Sequence, residues 1–528
     1  MSSGLSQPFY NHYLNNPSRP ALFVEGQLYT YGELGTLAGG MASFLLAPGH
    51  DRVERVGILA SRSAEAMAGI LAAAWAGATF VPLNPKYPEE RLLSILRQSR
   101  LDALILDEGG MRALTDRVMA HSPTLLLGPR LEERSMGADA YLIGRQTFAG
   151  MQTIPAPVPS TAEASAYILF TSGTTGVPKG VMVTNANVSH FLQVSQARYR
   201  IAPDDRLSQQ SEITFDHIVF DLFMAWGAGA SVHVVPETMV MAPAEFIRRQ
   251  ELTVWFGVPS GIAFLNSMRL LRPGYFPSLR LSLFAGEPLP KESADAWQTA
   301  APNSQINNLY GPTEVTVDCL WQPCTEPLAI TPNRGVVAIG RPYEGMQAAI
   351  VDAENNFLCQ GQAGELAVSG PQVAAGYWDN PELTAKRYPH LHHPEFGDGI
   401  WYLTGDLAYQ DETGIFHYLG RVDNQVKVLG QRVELEDVEF HLREVCQTDL
   451  AAVIAWPMQH GAAQGLIAFV ADAIPDQSQV KELLRQRVLA YMVPRRIIPI
   501  EQMPLNLNGK VDRRALAAML EAEQLQHA

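Results

Sequence analysis

The sequence predicts an α/β fold: a large N-terminal domain of layered α/β sheets with a small β-rich subdomain, followed by a small α+β C-terminal domain. Short apolar runs alternate with helical patterns as far as about residue 320, which favours layers with largely parallel strands. From Gly335 to Leu419 shorter strands are punctuated by Gly, Pro and Asp, as in small β-rich units. Strand and helix patterns resume near Arg421. We therefore expect domains at 1–422, with the β-rich subdomain at about 335–419, and at 423–528.

The first elements follow a strand–helix–strand rhythm. An extended pair turns at Gly26–Gln27, and Thr30 with Glu33 forms a capping box that starts the next helix. The expected elements here are strands Ala21–Glu25 and Leu28–Thr30, helix Tyr31–Leu46, strand Val56–Leu59, helix Ser63–Ala76, strand Thr79–Pro82, helix Arg91–Ser99 and strand Ala103–Leu106.

The same reasoning places elements farther along the chain. In the rest of the large domain we expect helix Asn185–Tyr199 and strands Ser231–Val235, Val254–Gly257, Ala348–Asp352, Gly364–Ser369 and Gly414–Leu419. In the C-terminal domain we expect strand Val426–Leu429, helix Glu436–Glu444, strands Ala452–Ala455 and Leu466–Val470 and helix Val480–Ala490.

Charge and composition exclude several classes of function. The net charge of -15, from 54 acidic and 39 basic residues, argues against binding to nucleic acid, where affinity comes from neutralising phosphates. No apolar stretch has the length of a membrane span. The N-terminus has no basic region followed by an apolar core, and four cysteines are too sparse for a disulfide framework. We therefore expect a cytoplasmic protein.

A glycine-rich loop follows an apolar run at Ser165–Gly180, which reads SAYILFTSGTTGVPKG. Small residues allow backbone N–H groups to converge on an anion. The loop differs from the Walker pattern because Pro178 precedes Lys179 and Gly180 follows it. It predicts a phosphate-binding loop of another kind.

Four later stretches combine small residues with one or two charges. Each alone would be a common turn, and their joint occurrence in this order is what carries meaning. They are NLYGPTE at 308–314, WYLTGDL at 401–407, GRVDNQVK at 420–427 and NGKVDR at 508–513.

Together with the glycine-rich loop, these stretches closely resemble the adenylate-forming superfamily, specifically the amino-acid adenylation domains of nonribosomal peptide synthetases. The resemblance covers nearly the whole chain, from YTYGEL at 29–34 through AGATFVPLNP at 76–85 and GEL at 364–366 to YMVP at 491–494. It implies an ATP- and Mg²⁺-dependent ligase whose small C-terminal domain is mobile.

The resemblance implies a set of nucleotide-binding residues. The loop residues that would hold the β- and γ-phosphates are Thr171, Ser172, Gly173, Thr174, Thr175, Gly176 and Lys179. Tyr310 would supply a flat face for adenine, with Thr313 beside the nucleotide, while Asp406 accepts the ribose hydroxyls and Arg421 supports the sugar. Glu314 would be the Mg²⁺ ligand. The catalytic set is Lys510, which would bridge substrate carboxylate and α-phosphate, with Glu314 and Thr174.

The same alignment implies an amino-acid site. Asp216 would hold the α-ammonium, which fatty acyl and aryl substrates lack. The side-chain pocket would be lined by His217, Phe220, Phe256, Leu283, Ala285, Leu309, Val317 and Asp318, and its mostly apolar character favours a mid-sized, mainly aliphatic amino acid. His217 and Asp318 either pair with each other or bind a hydroxyl or amine of the substrate.

Further expectations concern the second half of the reaction. The resemblance places the hinge at Asp423, and rotation of the C-terminal domain would withdraw Lys510 and present the face around 427–432 to the phosphopantetheine thiol of a carrier protein. The chain ends eighteen residues after Lys510, so we expect the carrier to be a separate protein. The alternatives are an acyl-CoA ligase, disfavoured by Asp216 and by Asp rather than Lys at the hinge, and a catalytically silent nucleotide-binding protein.

Overall fold

The computed structural model describes residues 4–47, 53–137, 140–151, 154–171, 177–422, 425–428, 430–448, 450–459, 462–471, 476–504 and 511–527. Two large sheets form the N-terminal domain. In spatial order the first sheet contains Arg341–Pro342, Leu320–Pro323, Gln305–Tyr310, Leu281–Phe284, Val254–Gly257, Arg206–Gln209, Ser231–Val234, Pro20–Val24 and Gln27–Thr30. The second contains Gly376–Tyr377, Lys179–Thr184, Ser165–Thr171, Thr79–Leu83, Arg55–Leu59, Ala103–Leu106, Leu125–Leu127, Tyr141–Ile143 and Arg134–Ser135.

Smaller sheets complete the chain. The β-rich subdomain is an antiparallel sheet of strands Gln347–Val351, Ala363–Ser369, Tyr402–Gln410 and Phe416–Arg421, flanked by the pairs His390–His393 with Gly397–Ile400 and Ile330–Thr331 with Val336–Val337. The C-terminal sheets are Gln431–Glu434, Gln425–Val428, Ala462–Ala463 and Met458–Gln459, and Ala451–Ala455, Leu466–Ala471 and Arg496–Ile500.

Helices cover the sheets. The longer ones are Gln7–Asn15, Tyr31–Leu45, Ala64–Trp75, Glu89–Ser99, Asn185–Tyr199, Pro259–Ser267, Lys291–Ala300, Leu435–Cys446, Gln477–Arg485 and Arg513–His527, and the shorter ones are Glu108–Ala113, Asp116–Met119, Arg145–Ala149, His217–Val219, Ala225–Ala228, Ala244–Arg249 and Pro381–Arg387. Within the described residues, none of them combines the length and the apolar character that crossing a bilayer requires.

Local sequence explains where helices begin. The Glu33 amide donates to Thr30 Oγ1 at 3.2 Å and the Thr30 amide donates to Glu33 Oε2 at 2.8 Å, so the expected capping box is confirmed. Helix Ala64–Trp75 is buried along its entire length, because its alanines allow it to pack closely within the apolar core, against the second sheet. Its N-cap is Ser63, whose hydroxyl accepts the Ala66 amide; the sequence predicts a helix over Ser63–Ala76.

The predicted rhythm of the large domain is confirmed. Strand Arg55–Leu59 lies between Thr79–Leu83 and Ala103–Leu106, parallel to both. One C-terminal prediction is wrong in its extent: the helix expected at Val480–Ala490 ends at Arg485, and a 3₁₀ turn follows at Ala490–Met492. Pro494 disfavours helical backbone only at Val493, the residue before it, so it limits the 3₁₀ turn. The end of the helix at Arg485 is set by where the chain must enter strand Arg496–Ile500.

Candidate active site

The glycine-rich loop connects two antiparallel strands of the second sheet. Thr171 ends one strand, Lys179 begins the next, and the two residues are register partners. The hairpin therefore returns Lys179 to the carboxyl edge of the sheet. Lys179 Nζ lies over the Tyr377 ring, 5.3 Å from its centroid, and burial lowers its pKa to about 8.

A buried cluster of charges surrounds Glu314, whose side chain is fully enclosed. Arg432 Nη1 donates to Glu314 Oε2 at 3.0 Å, and the Tyr377 hydroxyl donates to Oε1 at 2.9 Å. Lys179 Nζ is 3.8 Å from Glu314 and 3.9 Å from Glu434. Although burial opposes the effect, Arg432 and Lys179 lower the pKa of Glu314 to about 2, so the carboxylate is ionised.

The residues expected to hold the nucleoside converge on Asp406. The Tyr310 hydroxyl donates to one carboxylate oxygen, and Arg421 Nη1 donates to the other at 2.8 Å. Asp406 and Arg421 are register partners on neighbouring strands. Each carboxylate oxygen still has a second lone pair for a ligand hydroxyl.

A cavity of about 390 Å³ adjoins this group and is lined by both domains. Tyr418, Gly420 and Arg421 come from the large domain, and Val426 and Lys427 come from the C-terminal domain. A smaller space lined by Tyr310, Gly311, Asp406 and Lys427 opens beside it.

Several of the residues predicted to line the side-chain pocket lie at the carboxyl ends of three adjacent parallel strands. Phe256 is the register partner of Leu283, and Ala285 donates its amide to Gly257 O at 3.1 Å. Leu309 lies near the end of the next strand, Gln305–Tyr310. Ligands of open α/β sheets bind outside such carboxyl ends.

Aromatic rings pack together among the residues predicted to line the pocket. The His217 ring stacks on Phe256 with centroids 4.4 Å apart, and Phe220 meets Phe256 edge-on at 5.2 Å. Phe220 starts a short π-helix, Phe220–Met224, a conformation that is frequent at functional sites. Burial lowers the pKa of His217 to about 4, so its ring is neutral.

Two carboxylates in this region have oxygens that accept no hydrogen bond from the described residues. Asp216 is 7% exposed, and its Oδ2 accepts no hydrogen bond from the residues that the structure describes. Burial raises the pKa of Asp216 to about 6, opposed by the neighbouring Thr313 hydroxyl. Asp318 is 1% exposed, and neither carboxylate oxygen has a partner within the described ranges. Of the two interpretations that the sequence leaves open, pairing with His217 is therefore not the one the structure contains.

Val317 and Asp318 belong to a tight turn after the 3₁₀ turn Thr313–Val315. A Cβ at Gly311 would lie 2.5 Å from both Asp318 Cα and Val317 O, so only glycine allows the two segments to pass.

Several predicted site residues lie outside the described residues. They are Ser172, Gly173, Thr174, Thr175, Gly176, Asp423 and Lys510.

Sequence reasoning missed residues that support the site. Tyr377 bonds Glu314, while Gln372 donates from Nε2 to Asp318 O at 2.7 Å. Glu287 accepts the Ser260 amide at 2.8 Å and the Gly430 amide, which ties the C-terminal domain to the large one. Of these residues, the sequence pointed only to Gly430 and, with it, to Arg432, because both belong to the face around 427–432 that we expect to meet the carrier thiol.

Comparison with known proteins identifies the family. Residues 9–378 match the model of the AMP-binding enzyme family. Tyrocidine synthase 3 of Brevibacillus parabrevis is 32% identical over 517 residues, which cover 97% of this chain and 8% of that protein. The delta-poly-L-ornithine synthetase of Acinetobacter baumannii is 32% identical over 514 residues, 95% of this chain and 36% of that protein. This chain thus spans only a small part of those curated relatives.

A solved structure matches over almost the full length. The Vibrio cholerae adenylation domain AlmE, in complex with glycyl-adenosine-5'-phosphate, aligns with a TM-score of 0.84 at 29% identity, covering 99% of this chain and 98% of that one. The predicted fold class is therefore confirmed as that of adenylation domains. The chain belongs to the AMP-binding enzyme family.

Proposed function

We propose that this chain uses ATP to convert an amino acid into aminoacyl-AMP and pyrophosphate, and then passes the aminoacyl group to the phosphopantetheine thiol of a separate carrier protein. The observation that carries the proposal is Asp216: a buried carboxylate with an unpartnered oxygen beside Thr313. A buried charge needs a partner of opposite sign, and the α-ammonium of an amino acid supplies one. The glycyl adenylate bound to AlmE supports the same substrate class.

In the first half-reaction a substrate carboxylate oxygen attacks the α-phosphorus. The bond between the α-phosphorus and the oxygen that links it to the β-phosphorus breaks, and pyrophosphate leaves with that oxygen. Asp406, Tyr310 and Arg421 would hold the adenosine, while the loop with Lys179 would hold the leaving pyrophosphate. Lys510 would lower the repulsion between the two anions as they meet. No general base is required, because the nucleophile is ionised at neutral pH.

Glu314 has the properties of a magnesium ligand. Mg²⁺ in nucleotide sites is commonly held by one or two carboxylates together with phosphate oxygens, and Glu314 is ionised and buried. When bound, the ion would neutralise phosphate charge. Arg432 contacts both Glu314 oxygens and Tyr377 contacts one of them. Because the positive charge of Arg432 would repel a cation at the same carboxylate, we expect ligation to require Arg432 to withdraw.

We therefore assign the arrangement in this structure to the second half-reaction. The C-terminal hairpin 425–434 sits at the cleft, with Arg432 on Glu314 and the Gly430 amide on Glu287. In this step the thiol sulfur attacks the carbonyl carbon of aminoacyl-AMP and forms the thioester bond. The bond between that carbon and the phosphate oxygen breaks, AMP leaves with that oxygen, and the thiol proton passes to solvent. The clusters of apolar side chains around Val428 and Ala452 contain only residues after 425, which supports our placement of the domain boundary and hinge at Asp423.

Pyrophosphate exchange across the common amino acids, with benzoate and octanoate alongside, tests the first step. We expect exchange with one class of amino acid and none with the two acids that lack an amino group. Asp216→Asn should lower kcat/KM roughly 10²-fold or more, because the ammonium loses its counter-charge. Asp204→Asn is the control, since that side chain is exposed. A preference for benzoate or octanoate would contradict the proposal, and transfer to CoA in place of holo-carrier would favour an acyl-CoA ligase.

A further inference from the structure

Asp318 is a second carboxylate at the substrate pocket, and nothing within the described residues neutralises it by contact. It follows Thr316 and Val317, whose φ angles are 62° and 69°. Left-handed backbone is unfavourable for β-branched residues, so the fold holds this turn in place against a conformational cost. Strain of this kind clusters at ligand sites.

The turn is also clamped from the β-rich side of the molecule. Besides its bond to Asp318 O, the Gln372 amide lies 3.3 Å from Thr316 O, and Thr316 Oγ1 donates to Gln372 O at 2.7 Å. His190 Nδ1 contacts Gln372 Oε1 at 3.2 Å. These contacts engage the backbone of the turn and leave the Asp318 carboxylate free for another partner.

The burial of Asp318 and the nearby carboxylate of Asp216 favour a cation as the partner of the Asp318 carboxylate. A buried ionised carboxylate without a partner is costly, and Asp216 is near enough to add to the cost. Burial, reinforced by Asp216 and opposed by Lys427, raises the pKa of Asp318 well above its usual value. A ligand with two positive charges would relieve both carboxylates. An ammonium would stabilise the ionised form of Asp318, whereas a ligand hydroxyl can form a hydrogen bond but brings no charge that would do so.

We propose that Asp318 receives the side-chain ammonium of the substrate, which is therefore an α-amino acid with a second amino group, of the ornithine and lysine class. The inference rests on the proposed function and specifies its substrate. Asp216 binds the α-ammonium, and the apolar wall of Phe220, Phe256 and Leu283 packs against the methylenes between the two charged ends.

The test is pyrophosphate exchange with the full chain and a matched set of acids. Lysine and ornithine carry both amino groups, norleucine lacks the side-chain amine, 6-aminohexanoate lacks the α-amine, and serine carries a hydroxyl on a shorter side chain. We expect kcat/KM for lysine or ornithine to exceed that for norleucine and for serine by roughly 10²-fold, because a site built for a polar group rejects analogues that leave it unpaired. We expect no exchange with 6-aminohexanoate.

The variant Asp318→Asn keeps the size of the side chain and removes its charge. We expect it to lower kcat/KM for the preferred diamino acid roughly 10²-fold while leaving norleucine unchanged or improved. Asp221→Asn is the matched control, because Asp221 is also buried with an unpartnered oxygen but has no place in the proposed site; it should affect all substrates alike.

The outcomes separate the two proposals. Preference of the wild-type protein for norleucine or serine would overturn the role of Asp318 and leave amino-acid adenylation standing. Exchange with acids that lack an α-amino group, and with no amino acid, would overturn both. The wild-type comparison decides the question even if Asp318→Asn does not fold.

Discussion

Replacing Arg432 with alanine tests whether the seated C-terminal hairpin serves thioester formation. Arg432 Nη1 lies 3.0 Å and 3.3 Å from the two oxygens of Glu314. The Arg432 side chain is 18% exposed and that of Glu314 is fully buried. Removing one partner of a buried ion pair costs about 3–5 kcal/mol. Lys179 remains 3.8 Å from Glu314 and partly compensates it, so we expect a smaller cost of about 2–3 kcal/mol, or roughly 30- to 150-fold in the population of this arrangement.

Separate assays of the two half-reactions distinguish the expected effects of Arg432→Ala. Pyrophosphate exchange should persist in Arg432→Ala, because the first half-reaction needs Glu314 released from Arg432. Aminoacyl transfer to a holo-carrier protein, with the apo-carrier as blank, should fall by the factor above. Arg432→Lys should recover part of the loss, since a lysine supplies charge without the bidentate geometry. Arg485→Ala, on an exposed side chain of the same domain, is the control. Equal loss of both activities, or unimpaired transfer, would refute the reasoning.

Three further predictions address other parts of the site. The Lys510→Ala variant should exchange pyrophosphate roughly 10³-fold more slowly but still transfer the aminoacyl group from added aminoacyl-AMP to the carrier. Loss of transfer as well would count against the role assigned to Lys510. Asp423→Pro should leave exchange largely intact and slow carrier loading, because proline restricts hinge rotation, and parallel loss of both would argue against a hinge. Gln372→Leu should cost about 1–3 kcal/mol of unfolding free energy in chemical denaturation and weaken discrimination between substrates, since the carbonyls of Thr316 and Asp318 lose their donor; unchanged discrimination would show that the clamp is dispensable.

Local signals in the sequence were sufficient for most of the fold. The Thr30–Glu33 capping box and the expected limits of helix Asn185–Tyr199 reappear in the structure, because caps and periodicity act over a few residues. Helix Gln477–Arg485 ends earlier than the sequence predicts, because its end depends on where the chain must enter the last sheet. That position is a property of the tertiary structure.

Long-range contacts could not be predicted in the same way. Gln372 meets Asp318 across 54 residues, and Arg432 meets Glu314 across 118. No short sequence motif links the two members of either pair, so the sequence alone could not predict these contacts. The sequence identified His217 and Asp318 as neighbours of the substrate but left open whether they pair with each other or bind the substrate. The answer depends on a tertiary contact, the stacking of His217 against Phe256.

The most direct test of amino-acid adenylation is ATP–pyrophosphate exchange measured for each amino acid beside its α-deamino analogue. The account predicts exchange with at least one amino acid, strong loss when only its α-amino group is removed, and a matching loss in Asp216→Asn. Equal exchange with an amino acid and its α-deamino analogue, unaffected by Asp216→Asn, would contradict it.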